Sequence, residues 1–261
     1  MTGFESVTET PGVGASRQQL SMMLTRYRFA AELAAGQDVL EVACGSGIGL
    51  GYLAKKARRV VGGDIDPAVL RYAEQHYAAR PSIELRQFGA ETIPYDDASF
   101  DLVLLYEAIY YLDDVDAFVR EARRVVRPGG ALVIVTVNPE WSEFNPSPFS
   151  KHYLNAAEMR ALLSRHGFTP QLLGAFTSGR SAVGAIVGII RRIAVKLHLI
   201  PKTMKGKQLL KRLFMGPLLP LPQEIDDAHG DYVPPQPLDE RQLAATKVLY
   251  AVGRAPVAVG S

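Results

Sequence analysis

Short, nearly continuous apolar runs alternate along this chain with segments whose apolar residues recur every three or four positions. The runs "DVLEVA" (38–43), "RVVGGDID" (59–66), "IELRQF" (83–88), "FDLVLLYEAI" (100–109), "ALVIVTV" (131–137), "TPQLLGAF" (169–176) and "ATKVLYAVG" (245–253) read as strands. Between them, "RQQLSMMLTRYRFAAELAAG" (17–36), "LGYLAKKA" (50–57), "AVLRYAEQHYAA" (68–79), "DAFVREARRVV" (116–126) and "NAAEMRALLSRHG" (155–167) carry helical spacing. Gly36 and the Pro-Gly-Gly after Arg127 are stop signals, and Asn155 is a helix N-cap candidate. Strands apolar at consecutive positions are buried on both faces. The alternation therefore predicts an α/β fold, a doubly wound, mostly parallel sheet between two helical layers. Ligands of such sheets bind beyond the carboxyl ends of the strands. Three distant stretches should meet there: the loop after the first strand, Asp64 after the second, and Tyr106–Tyr111 after the fourth.

The first of these loops reads Gly45-Ser46-Gly47-Ile48-Gly49-Leu50-Gly51. A dinucleotide fingerprint needs a third glycine where Leu50 stands, and a P-loop needs a lysine directly after its glycines. Both phosphate readings fail. Two acids remain: Glu41 within the first strand, and Asp64, which can accept from both hydroxyls of a ribose. A ligand with a ribose, a cationic amine and no phosphate matches these groups, as S-adenosylmethionine does.

With that ligand in view, "VLEVACGSG", "VVGGDIDP", "GAETIPYDDASFDLVLLYEAIYYL" and "EARRVVRPGGALVIV" resemble, in order, the motifs of class I S-adenosylmethionine-dependent methyltransferases of the small-molecule type. The resemblance implies a Rossmann-like, seven-stranded sheet whose last strand, "TKVLYAVG", is antiparallel. It implies methionyl contacts from Gly45, Ser46 and Gly47, ribose contacts from Asp64, and an adenine flanked by Ile65 and Ala90. Two positions depart from the family pattern. Gly89 stands where relatives usually place an Asp for the adenine amino group, and "EAIYYL" stands where many carry a histidine.

The remaining site candidates follow from position. Glu41 lies under the loop, facing the ligand's ammonium or the loop's own amides, and Tyr27 is expected to close over the cofactor. Tyr106, Tyr110 and Tyr111 are expected around the cofactor and acceptor. Tyr110, Tyr111 and His152 are the candidates for any proton removed during transfer. Cys44 lacks a basic neighbour and reads as a small loop residue. As the sole cysteine it offers no disulfide and no metal cluster, which fits a reducing cytoplasm. No metal is expected.

Charge changes the picture only in the last third. The net charge is +2, yet the stretch from Arg160 to Pro222 holds eleven Lys and Arg and no acid, leaving −9 for the rest. Residues 1–16 lack a signal-peptide pattern and read as a flexible tail. Residues 17–177 and 244–255 read as the cofactor domain, and 178–243 as an inserted basic and Pro-rich helical cap. In "SAVGAIVGIIRRIAVKLHLI", Arg191, Arg192 and Lys196 fall within an arc of about 140°, opposite a broad apolar face. Such a cap can pack on the acidic remainder, recognise an anionic or lipid-linked acceptor, or lie peripherally on an anionic membrane. Nucleic acid is not expected, because base-reading side chains are sparse there. The expected activity is methyl transfer to oxygen or nitrogen of a small metabolite, such as a sugar, nucleotide sugar or secondary metabolite. An NAD-dependent oxidoreductase and a non-catalytic protein of the same fold, binding a partner or membrane, are the alternatives.

Overall fold

The computed structural model describes residues 10–177 and 217–257. Helix α1 (Arg17–Leu33) starts from Ser16, whose hydroxyl accepts from Gln19 N while the Gln19 side chain accepts from Ser16 N. This reciprocal cap satisfies two amides that the helix leaves unpaired. The other helices are α2 (Leu50–Ala54), α3 (Pro67–Tyr77), α4 (Val115–Val125) and α5 (Ala156–Arg165). The last is capped by Asn155, with Glu158 answering as Gln19 does for α1.

The main sheet contains β2 (Asp38–Val42), β3 (Arg59–Asp64), β4 (Ile83–Gln87), β5 (Phe100–Tyr106), β6 (Val126–Val137), β7 (Thr169–Thr177), β9 (Gln236–Pro237) and β10 (Thr246–Arg254). Their order is β4-β3-β2-β5-β6-β10-β7-β9. The first five are parallel neighbours; β10 runs antiparallel to both β6 and β7. The expected antiparallel last strand is present, and it is inserted between β6 and β7. The strand count is eight rather than seven, because Gln236–Pro237 adds a two-residue edge piece to β7. A proline there cannot donate to a further ladder, so the edge ends with it.

Alternation within the strands feeds two cores. Val39, Leu102, Leu104, Val133, Val135 and Tyr250 face the layer of α1, α2 and α3. Leu40, Val42, Val103, Leu105, Leu132, Ile134 and Leu249 face α4 and α5. Glu41 shares the face of Val39 and is 1% exposed, an acid deliberately placed among apolar residues under α1.

Two expectations change. Residues 10–16 are anchored rather than loose: β1 (Gly14–Ala15) pairs with β8 (Leu219–Pro220), and Gly12 and Val13 exchange backbone hydrogen bonds with Leu221. The described part of the expected cap, 217–243, has no α-helix. It runs through bends, a turn closed by Asp226 and His229, and a 3₁₀ turn that begins at Glu240, because its prolines suit a strap rather than a helix. The basic segment with Arg191, Arg192 and Lys196 lies outside the described residues. No helix among the described residues is long and apolar enough to cross a membrane.

At the amino edge of the sheet, away from the loops described below, Asp38 accepts from Arg58 (2.6 Å) and Arg127 (3.0 Å), and Arg127 also reaches Asp101 (2.7 Å). The Arg58 hydrogen bond, joined by Arg127, holds the Asp38 carboxyl below its ordinary range. A depressed carboxylate stabilises the fold above its unfolded value of about 3.9 and loses that contribution as pH falls through the folded value. Asp38→Asn should therefore cost about 1–2 kcal/mol at neutral pH. Urea unfolding should show that deficit shrinking as the pH is lowered below about 4; a pH-independent deficit would contradict the assignment.

Candidate active site

The loop joining β2 to α2 is shaped by several close approaches. Gly45 and Gly47 adopt φ +57° and +73°, and Ala43 at the end of β2 adopts +56°. Three residues turn the chain sharply away from the strand, and glycine makes two of them inexpensive. Gly49 is required for another reason: a Cβ there would lie 1.9 Å from the Tyr27 ring. Gly51 meets the Glu224 carboxylate in the same way, at 2.3 Å. Tyr77 of α3 ties the loop from below, donating to Gly47 O (2.8 Å) and accepting from Gly51 N (3.1 Å). Because burial lifts its pKa, Tyr77 stays a neutral donor and acceptor.

Both acids occupy the positions the sequence suggests. Tyr27 donates to Glu41 Oε1 at 2.7 Å, and burial together with the Glu41 charge pushes the phenol well above its usual value. Asp64 accepts from Gly45 N (2.8 Å) through one oxygen and from Asp66 N (2.9 Å) through the other. A carboxylate has about four lone-pair sites, so Asp64 retains acceptor capacity beyond these amides. Burial raises the Asp64 pKa, opposed by those two amides.

A cavity of about 460 Å³ opens above the carboxyl ends of the strands, a volume in the usual range for small-molecule sites. Tyr27, Glu41, Gly45, Ser46, Asp64, Ile65, Ala90, Tyr106, Tyr110 and Tyr111 all line it. Gly47 is set back, its space taken up by Ala73 and Tyr77. His152 is also off the wall, its Nε2 buried with no hydrogen-bond partner among the described residues, while its neighbours Lys151 and Tyr153 reach the cavity and the Tyr110 ring. Cys44 is buried in the wall, and burial raises its thiol pKa, which removes nucleophilic character.

Sequence reading missed several groups. Arg26 is buried on α1 beside the Tyr27 and Tyr106 rings. Glu107 follows β5 and accepts from the Tyr110 hydroxyl (3.1 Å). Glu91 accepts from the amides of Asp113 and Asp114, and Lys151 pairs with Asp113 at the rim. A charged residue within a buried helix face, and one directly after an apolar strand, were the available signals. The lining thus sets Arg26 and Lys151 against Glu41, Asp64, Glu91, Glu107 and Asp113, an acidic chamber suited to a cation. Among the described residues no cluster of His, Cys, Asp and Glu is disposed to hold a metal.

The Gly49–Tyr27 approach can be measured. Gly49→Ala should cost about 1–3 kcal/mol by overpacking. In a Tyr27→Leu background the same change should cost clearly less, since the facing ring is gone. Additive costs in urea unfolding would show that the two positions do not press on one another.

Comparison with known proteins converges on one group. A model described as a methyltransferase domain matches residues 40–134. A probable S-adenosylmethionine-dependent methyltransferase of Mycolicibacterium smegmatis is 38% identical over 67% of this chain and 68% of its own length. A Mycobacterium tuberculosis relative with that description is 35% identical over 54% of this chain, which spans only about half (52%) of that protein. A probable phthiotriol/phenolphthiotriol dimycocerosates methyltransferase of Mycobacterium ulcerans is 30% identical over 58% of this chain and 64% of its own length. Among solved structures, the YcgJ protein of Bacillus subtilis shares the fold with a TM-score of 0.59, at 17% identity, over 88% of this chain and 97% of its own. The M. smegmatis relative, 38% identical and matched over two thirds of its length, settles the family: the chain belongs to the S-adenosylmethionine-dependent methyltransferases, enzymes whose cofactor is S-adenosylmethionine.

Proposed function

We propose that this protein methylates a hydroxyl or amine of a small, apolar acceptor that carries no negative charge, a secondary metabolite or lipid hydroxyl in preference to a sugar phosphate. The observation that carries this reading is one cavity whose wall combines the glycine loop, Glu41 and Asp64 with the apolar and phenolic side chains of Met22, Tyr110, Tyr111, Leu112 and Val137. An anionic acceptor would face the surplus carboxylates of the lining. The name of the M. ulcerans relative, which specifies a triol-derived acceptor, agrees with a hydroxyl group.

The residues present fit the cofactor. The left-handed Gly45 brings loop backbone to the cavity wall beside Ser46, Asp64 keeps acceptor capacity for the ribose, and Ile65 and Ala90 bound the adenine end. Glu41 and the acidic lining favour a cationic ligand. S-adenosylmethionine supplies a methyl group already activated on a sulfonium. The chain's own work is then to align the acceptor and exclude water, which can account for much of the rate. Tyr110 serves as a neutral donor or packing group: burial and Glu107 push its pKa far up, so it does not supply a phenolate base. In this reading residues 17–177 and 244–255 form the catalytic layer, and 178–243 is an insertion joining β7 to β10.

Four outcomes test it. Calorimetry should show binding of S-adenosylmethionine and none of NAD, and Asp64→Ala should weaken cofactor binding roughly ten- to a hundredfold while the chain stays folded. Because burial raises the Asp64 pKa, protonation removes the ribose acceptor early on acidification. Affinity should therefore start to fall at a pH above the ordinary aspartate midpoint of about 3.9. Tyr110→Phe should keep turnover to S-adenosylhomocysteine within about tenfold of the parent on the best substrate from a panel of phenols and alcohols. A loss of about 10²–10⁴ would instead make Tyr110 an acid–base group.

A further inference from the structure

Glu107 stands out among the groups that family resemblance does not explain. It follows β5 directly, and its backbone is left-handed, φ +50°, a conformation unfavourable for a non-glycine residue. The neighbouring strand β2 ends similarly in Ala43, φ +56°, and Val42 is paired with Leu105. Glu107 is thus carried to the same level as the glycine loop, one strand away. Its backbone N–H is spent on Val135 O (2.9 Å), and Tyr110 holds its carboxylate at 3.1 Å. The same cavity is lined by Glu41 and Asp64, which lie on the next two strands, and by Tyr110 and Tyr111, which follow Glu107 in the chain. Strain kept in a glutamate where asparagine or glycine would sit more easily is a mark of function.

Glu41, Gly45 and Asp64 account for the amino-acid and ribose ends of the cofactor in the reading above, on which this inference rests. In that reading the centre between those two ends, where the methyl group leaves, faces the end of the adjoining strand, and Glu107 is a carboxylate that lines the cavity at that strand end. We propose that Glu107 is a specificity-determining residue that reads the charge at the transfer centre, favouring the sulfonium form of the cofactor over the neutral thioether left after transfer. In the reaction the carbon–sulfur bond breaks with its electron pair remaining on sulfur. The acceptor oxygen or nitrogen forms the new bond to carbon, and its proton passes to solvent. One positive charge therefore disappears beside a fixed carboxylate. The product loses an attraction that the substrate enjoyed, and release is assisted without movement of the loop.

The test is calorimetric and needs no acceptor. The full chain and its variants are titrated with S-adenosylmethionine, with S-adenosylhomocysteine, and with sinefungin, whose amine replaces the methylated sulfur. Glu107→Gln should weaken S-adenosylmethionine and sinefungin about tenfold, equivalent to about 1.4 kcal/mol, and leave S-adenosylhomocysteine within twofold. Glu107→Asp, which keeps the charge, should hold the ratio within about threefold of the parent, a span of well under 1 kcal/mol. Glu107→Asn is the second neutral variant should glutamine not be accommodated, since asparagine tolerates the left-handed backbone. Equal losses for all three ligands would assign Glu107 a structural role and overturn the proposal, as would unchanged affinities. A folded parent that binds none of the three would instead overturn the cofactor reading beneath it.

Discussion

The upper edge of this sheet depends on one buried carboxylate. Glu41 lies in the middle of the most enclosed strand, 1% exposed, and a charge there is tolerable only if neighbours compensate it. Tyr27 provides a hydrogen bond of 2.7 Å, and the buried Arg26 lies beside it on the same helix. The position of α1 follows from that requirement. Once α1 is drawn over β2, the Tyr27 ring occupies the space that any side chain at position 49 would need. The glycine loop is then confined between Tyr27 of α1 and Tyr77 of α3. One electrostatic demand therefore fixes a helix, a loop and one wall of the cavity.

Charge is distributed along the sheet with a clear polarity. At the amino edge, Asp38 and Asp101 are neutralised by Arg58 and Arg127, so that end is saturated and structural. At the carboxyl edge the acids lining the cavity outnumber the bases, a surplus that favours a cationic ligand. Stability and ligand attraction are thus assigned to opposite ends of the same strands. The phenols of Tyr27, Tyr106 and Tyr110 remain neutral in this field because burial and nearby carboxylates raise their pKa values. They contribute donors and surface, and no additional charge.

The strap through residues 217–233 completes the site from outside. Ile225 N donates to Ile48 O, and Glu224 takes Arg80 and His76 while lying against Gly51. Asp227 accepts from Tyr52, and Ser21 and Thr25 of α1 receive the amides of Asp231 and Val233. The short helix α2 could not hold its place alone, at five residues. It is held because the returning chain packs over it. The acids of the strap thus serve Arg80 and Arg28 of the layer beneath.

The alternating pattern alone determined the α/β class, every strand of the main sheet except β9, and the meeting of the glycine loop, Asp64 and Tyr106–Tyr111. Apolar periodicity and turn chemistry act locally, and the parallel topology leaves few ways to assemble such units. Glu41 and Asp64 were legible for the same reason: each is an acid at a strand position where burial makes acids expensive. Arg26, Glu107, Tyr77 and the strap were not legible. Arg26 sits in a helix whose sequence permits either an outward or an inward arginine, and only packing against β2 turns it in. Glu107 has its importance through a left-handed backbone and a neighbour from the next turn, neither of which composition encodes. His152 and Gly47 show the converse, since their sequence positions are close to the site while packing sets both back from its wall. The expected helices of the cap lie outside the described residues; its Pro-rich part, 217–243, is placed because Leu221 and Ile225 join the core under α1–α3 and Glu224 reaches His76 and Arg80, partners that spacing cannot register. Those contacts span the chain, and the tertiary structure alone decides them.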